Sequence, residues 1–311
     1  MKRLTLIITY LLLSVTAAVA GGALVMLTAD SAYAADHSPV NETRPAKPDG
    51  EVRIDNLAGS VKVHGWDKNQ VQVTGTLGED VERLEIDTDS GIDIRVILPH
   101  NSHNHMDESD ADLVINVPKA SRVEVSTVSA DVDGADLTGP VHVETVSGTV
   151  SLSSTSTDID MRSTSGDVTV NGSGAKAHIK ASSVSGEVGV DGVSGDLTAE
   201  SVSGEVKVSG SHLSRAGVSS TSGDLRYESD LEKGGDYEFH TVSGDVSLGF
   251  SGSVSARFDI SSFSGDIDNS FGPHPTRVSK YSPGVELHFV NGSGEAQVSA
   301  RTLSGDIKLH N

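Results

Sequence analysis

The densest run of chemistry-bearing side chains in the sequence is His100-Asn101-Ser102-His103-Asn104-His105, followed by Asp107, Glu108, Asp110 and Asp112. Imidazoles and carboxylates at that density can ligate Zn²⁺, Ni²⁺ or Cu²⁺, and His100, His103, His105 and Asp107 form the candidate metal set. The run has no fixed ligand spacing. The competing reading is a solvated loop between one strand over Ile92–Leu98 and another over Leu113–Val117.

A second acidic set recurs along the chain: Asp131, Asp167, Glu187, Asp196, Glu205, Asp224, Asp245, Asp266 and Asp306. If its copies stack, like charges repeat at short spacing, and a divalent cation such as Ca²⁺ would relieve the repulsion. Against this, the Gly-Gly-x-Gly-x-Asp repeat of calcium-binding rolls is absent, and ordinary salt screens an exposed column. Trp66, the only tryptophan, stands in Gly65-Trp66-Asp67, where a ring either stacks on a sugar or plugs a local turn. The sequence holds no Gly-x-Ser-x-Gly elbow, no His-Glu-x-x-His and no P-loop, and Gly172-Ser173-Gly174 lacks the third glycine of a dinucleotide site. The chain therefore reads as non-enzymatic and without a cofactor.

Composition narrows the classes further. With 23 Lys and Arg against 44 Asp and Glu, the net charge is −21, which opposes binding to a nucleic-acid polyanion. No cysteine is present, so disulfides, thiolate zinc sites, iron–sulfur clusters and cysteine nucleophiles are excluded. Aromatic residues make up only 4%, too few for a core built throughout on large rings.

The elements that must position these residues begin after an address. Lys2 and Arg3 precede an apolar run from Leu4 to Ala29, and Ala32-Tyr33-Ala34 then offers a signal-peptidase pattern. Residues 1–34 are expected to be a signal peptide. An uncleaved membrane anchor is the other reading, because the run is about 26 residues and long enough to span a bilayer. Residues 35–50 hold three prolines and read as a linker.

From residue 51 to 311 the chain is a repeat. Ser-Gly-acid-apolar recurs with glycines at Gly166, Gly186, Gly204, Gly223, Gly244, Gly265 and Gly305, Ser147-Gly148-Thr149-Val150 is the same unit without the acid, and most of these glycines are 18 to 21 residues apart. Ser129-Ala130-Asp131-Val132 is the same unit with alanine, and Ser194-Gly195-Asp196-Leu197 falls at half a period. Seven and five residues before each glycine stand apolar side chains, such as Val141 and Val143 or Ile179 and Ala181; two and four after it stand others, such as Val150 and Leu152. Polar residues alternate with them, so each unit is strand, corner, strand. Glycine suits the corner through the positive φ of a tight bend. An all-β, repetitive β-solenoid of about 19-residue coils is expected, with roughly 13 coils stacked about 4.8 Å apart. A twisted antiparallel sheet of hairpins is the competing topology. The His/Asp-rich stretch around 99–112 interrupts the repeat.

Ser183-Val184-Ser185-Gly186-Glu187-Val188, Ser201-Val202-Ser203-Gly204-Glu205-Val206 and Thr241-Val242-Ser243-Gly244-Asp245-Val246 resemble the bacterial candidate-adhesin family of β-strand-repeat domains of unknown function. The resemblance covers roughly residues 51 to 311. It implies an exported β-solenoid-like domain and supplies no catalytic residues.

The leading functional expectation is a non-catalytic exported β-solenoid, an adhesin-like or cell-envelope scaffold protein. The alternative is a carbohydrate-active or metal-binding β-helix of the periplasm. Expected partners are an envelope protein or polysaccharide, with the membrane involved only through the N-terminal segment if it is uncleaved. The periplasm is the expected compartment, with the cell surface or an inner-membrane anchor as alternatives. Because Ile307-Lys308-Leu309-His310-Asn311 reads as a last strand without a cap, self-association through the solenoid ends is expected as well.

Overall fold

Alternating apolar and polar side chains on both arms of a Ser-Gly corner give two strands whose apolar faces must be buried against each other. The computed structural model describes residues 38–99, 110–279 and 283–311, all within one compact unit, Ala35–Asn311. The expected signal or anchor segment 1–34 and the candidate ligands His100, His103, His105 and Asp107 lie outside the described residues.

The chain opens with β1 (Ser38–Pro45), β2 (Glu51–Asn56), β3 (Gly59–Trp66), β4 (Gln70–Leu77), β5 (Arg83–Asp87), β6 (Ile92–Ile97) and β7 (Ala111–Pro118). Regular two-strand coils follow. They are β8 (Arg122–Thr127) with β9 (Asp131–Ala135), β10 (Val141–Thr145) with β11 (Val150–Ser154), and β12 (Asp158–Ser163) with β13 (Val168–Gly172). Next come β14 (Lys176–Ser183) with β15 (Val188–Asp191), β16 (Ser194–Ser201) with β17 (Val206–Ser209), β18 (His212–Ser220) with β19 (Leu225–Ser229), and β20 (Asp236–Ser243) with β21 (Val246–Phe250). The chain closes with β22 (Ala256–Ser264), β23 (Ile267–Asn269), β24 (Thr276–Arg277), β25 (Val285–Asn291), β26 (Ala296–Ser304) and β27 (Ile307–His310).

Every coil gives its first strand to a 14-stranded sheet and its second to a 13-stranded one. Successive coils pair in parallel, so the solenoid reading holds and the hairpin sheet does not. Register follows the columns read from sequence: Val141, Ile159, Ile179, Leu197, Ala216 and Tyr237 lie opposite one another from coil to coil, as do Val150, Val168, Val188, Val206, Leu225 and Val246. These side chains are buried and form one core between the sheets. Among the described residues the buried aromatics are gathered toward the C-terminal coils, where Tyr227 meets Phe239 at 5.2 Å and Phe258 stacks on Phe289 at 4.6 Å.

Among the described residues the stack contains eleven parallel coils rather than about thirteen, because five strands act as antiparallel closures. In space the coils run β6/β7, β2/β3, β8/β9, β10/β11, β12/β13, β14/β15, β16/β17, β18/β19, β20/β21, β26/β27, β22/β23. At one end β4 pairs antiparallel with β7, β1 with β4, and β5 with β6; at the other, β25 pairs antiparallel with β22 and β24 with β25. The strand expected to be an open end, Ile307–His310, is paired on both sides, with β21 and β23.

The 35–50 stretch is not a plain linker: Ser38–Pro45 is the outermost strand of its sheet. Proline cannot donate to a ladder, but an edge strand is hydrogen-bonded on one side only, which accommodates Pro39 and Pro45.

Candidate functional site

The corner between the two strands of each coil is where the repeat concentrates its recurring chemistry. Gly148, Gly166, Gly186, Gly204, Gly223 and Gly244 stack in sequence order, then Gly305, then Gly265. None of the first six, nor Gly265, has positive φ, so the bend does not require glycine. Close approach does. A Cβ on Gly166 would lie well under 3.0 Å from the Gly148 carbonyl oxygen, and the same clash recurs for Gly204 on Gly186 and Gly223 on Gly204.

Three residues before each glycine is a hydroxyl that sequence reasoning passed over: Thr127, Thr145, Ser163, Ser183, Ser201, Ser220, Thr241, Ser262 and Thr302, all buried. Its signal was present, since serine or threonine fills that position in every corner copy from Ala130 to Gly305. The hydroxyl works in both directions. Ser201 Oγ accepts from Gly204 N–H at 2.9 Å and donates to the carbonyl of Gly186, in the coil beneath, at 3.2 Å. Ser183 does the same with Gly186 (2.9 Å) and Gly166 (3.0 Å). A buried polar group costs little only when it is bonded; Ser163, Ser183, Ser201 and Ser220 each satisfy two backbone groups, while Thr241, Ser262 and Thr302 each donate to one carbonyl. Asn56 stands opposite Thr127 in the β2/β3 coil, and its Nδ2 donates to the Ala111 and Ala58 carbonyls at 3.1 and 2.9 Å.

The acidic column follows the glycine. Asp131 accepts from Thr149 N–H, Asp167 from Glu187 N–H and Asp224 from Asp245 N–H, each at 2.8 Å. These carboxylates cap backbone donors of the next coil. Glu187 and Glu205 instead share Lys207, at 3.0 and 3.1 Å, and the hydrogen bonds it donates to both hold its ammonium above the usual lysine value. Asp196 is not in the column. Ser194 and Gly195 open β16, so this half-period copy lies at the beginning of a strand, and Asp196 faces Arg215 at 3.7 Å.

Between the hydroxyl and the glycine a further column points outward. Val128, Val146, Val184, Val202, Val242, Phe263 and Leu303 are exposed, Val146 by 47% and Phe263 by 54%. Backbone bonds tie this column coil to coil, Ser147 N–H to Val128 O at 2.8 Å and Ser203 N–H to Val184 O at 2.9 Å. One edge of the stack thus carries an apolar row beside a carboxylate row.

Elsewhere the candidates separate. Trp66 donates from Nε1 to Gln70 O at 2.8 Å, and the Lys68 ammonium lies 4.4 Å from its ring centre, so the indole covers the β3–β4 turn. A cleft of about 460 Å³ between residues 45–52 and 88–92 places Lys47, Glu51 and Asp89 around a polar opening without an aromatic platform. Among the described residues no group of three or more His, Asp or Glu side chains could hold a metal ion.

The repeat itself decides the family. The family model described as Toastrack DUF4097 matches residues 49–210 and again 106–310. The chain belongs to the Toastrack DUF4097 family. The overlap of the two matches is what an internal repeat produces, since one Toastrack template can be laid on the stack at more than one offset. Among solved structures, a candidate cell adhesion protein from Clostridium sporogenes ATCC 15579 is similar at 11% identity, with 88% of this chain and 99% of that one covered and a TM-score of 0.23. A candidate lipid binding protein from Parabacteroides distasonis ATCC 8503 is similar at 12% identity, with 86% and 96% covered and a TM-score of 0.37. No curated protein matches the chain. No catalytic family is indicated by these comparisons.

Proposed function

We propose that this Toastrack protein is an exported, non-catalytic scaffold of the bacterial cell envelope, adhesin-like in its use of a long repeated edge to hold a partner. The periplasm is the proposed compartment. One observation carries the reading: the exposed Val128, Val146, Val184 and Val202 column runs beside the Asp131, Asp167, Glu187 and Glu205 column on the same edge. The valines of this row are interrupted by Thr164 and Thr221, and an exposed row this rich in apolar side chains marks an interaction surface. Its acidic neighbour selects a protein face on which Lys or Arg side chains flank apolar ones, and it repels anionic polymers.

The test places a photo-crosslinking residue at Val184 and, as a control, at His178 on the exposed sheet face. Cells are fractionated and treated with protease, intact or as spheroplasts. An adduct formed at Val184 alone, lost when Val146, Val184 and Val202 are changed to Ser, and a chain protected until spheroplasting are the expected results. Equal adducts at both positions, or none at Val184, overturn the assignment of the edge; cleavage in intact cells moves the proposal to the cell surface.

A further inference from the structure

The coil β26/β27 reaches its place out of order. In sequence β20/β21 is followed by β22/β23, yet β26 lies between β20 and β22, with Val298 opposite both Tyr237 and Phe258 and Ala300 opposite both Phe239 and Ile260. On the other sheet β27 lies between β21 and β23, with Ile307 opposite Val246 and Ile267. Residues 296–310 therefore fill a slot one coil wide, bounded on each side by strands whose backbone edges face inward.

The slot is selective. A side chain at the Gly305 position would clash with the Gly244 carbonyl. That carbonyl accepts from Thr302 Oγ1 at 3.3 Å, and Asp266 N–H needs the Asp306 carboxylate at 2.8 Å. An occupant must bring a hydroxyl, a glycine and an acid in that spacing, together with small or branched apolar residues where Val298, Ala300, Ile307 and Leu309 are fully buried. The chain itself makes such a segment. The segment joins β25 through Gly292-Ser293-Gly294-Glu295, a turn in which Gly292 and Gly294 hold φ of 61° and 68°, so the return depends on a short hinge.

We propose that this slot is a self-association site, in which residues 292–311 of a second copy replace the chain's own coil. Exchange of an identical element makes no contact that is not already present in the monomer, and a hinge too short to fold back favours it.

The experiment uses the full chain with a protease site built into the Gly292–Glu295 turn. After cleavage, labelled peptide of residues 292–311 is added in excess. Incorporation with an unchanged circular dichroism spectrum is expected, and peptide carrying Gly305→Val is expected to incorporate about tenfold less or worse, a deficit of about 1.4 kcal/mol or more. In parallel, deleting Ser293 and Gly294 from the uncut chain is expected to convert monomer to dimer in sedimentation. Unfolding on cleavage, retention of the cut coil without exchange, or equal uptake of both peptides overturns the proposal. If the shortened chain fails to fold, the cleavage experiment decides alone.

Discussion

The Asp245 carboxylate accepts a hydrogen bond from the backbone N–H of Asp306 at 2.8 Å, across 61 residues of chain. Asp306 in turn accepts from Asp266 N–H at the same distance. The acid ladder therefore runs from Asp224 to Asp245 to Asp306 to Asp266, which is the order of coils in space and not in sequence. Each carboxylate supplies, at the corner, the acceptor that a neighbouring strand supplies within a sheet. At the aspartate corners the acid recurs with a backbone donor of the next coil to satisfy, whereas Glu187 and Glu205 hold Lys207 instead.

Asp245→Ala removes the acceptor for Asp306 N–H, whereas Asp245→Asn keeps an oxygen in the same place. The alanine variant is expected to be less stable by about 0.5–1.5 kcal/mol, the ordinary net value of one such bond, and the asparagine variant to lie nearer the parent. Urea unfolding midpoints of the two variants check this; equal midpoints would show that water serves the exposed donor as well.

The glycine column makes a sharper prediction. Gly204→Ala drives a methyl group into the Gly186 carbonyl, while a Cβ on Gly217, in β18, meets nothing within 4 Å. The first substitution is expected to destabilise by about 1–3 kcal/mol or more, as overpacking does. The second is expected to be neutral or to stabilise by up to about 1 kcal/mol, by restricting the unfolded chain. Thermal melts of the pair separate a steric role at the corner from a general intolerance of side chains in the repeat.

At Ser201, alanine leaves both Gly204 N–H and Gly186 C=O without their buried partner, at a cost of about 1–3 kcal/mol. Ser201→Thr keeps a hydroxyl at this position, and threonine already fills the column at Thr145, Thr241 and Thr302, each making one of the two backbone bonds. Near-parent stability is expected for it. A threonine variant as unstable as the alanine variant would remove the hydroxyl from the account.

The repeat was legible because its physics is local: parity along each strand dictates burial, so Val141, Val143, Val150 and Leu152 could be assigned to the core from spacing alone. The reason for the glycine was not legible. A positive φ and a close backbone approach both select glycine, and only the stacked carbonyl of Gly148 under Gly166 distinguishes them. The order of coils was hidden for a related cause. β22/β23 and β26/β27 both carry Ser-Gly-acid corners, so either could follow β20/β21, and the register of Thr302 over Gly244 decides it. The prolines of Ser38–Pro45 signalled a linker because sequence does not reveal that this strand is paired on one side only. Of the candidate site, the acid column was legible as a column, but its use as a set of backbone acceptors required the coils to be stacked.

A final prediction concerns pH at the N-terminal end. Partial burial, with the nearby Asp93 carboxylate, pushes the Asp55 carboxyl above the usual carboxylate value, while the Arg95 hydrogen bond holds Asp93 below it. A raised folded value means that ionised Asp55 opposes folding at neutral pH and that this opposition fades as pH falls through the folded value toward the unfolded one. Asp93 acts in the opposite sense: its contribution is present above the unfolded value and is lost as acid protonates it in the fold. Asp55→Asn is therefore expected to raise stability at pH 7, and with it the melting temperature, by under about 1 kcal/mol because solvent screens this exposed face. The gain should close near pH 4, where carboxyls protonate in both states. Arg95→Gln, which releases Asp93, should instead lower stability at pH 7, with its deficit shrinking over the same acid range. Melting curves at several pH values distinguish the two, since a gain for Asp55→Asn that persists at low pH would have to come from packing and not from charge.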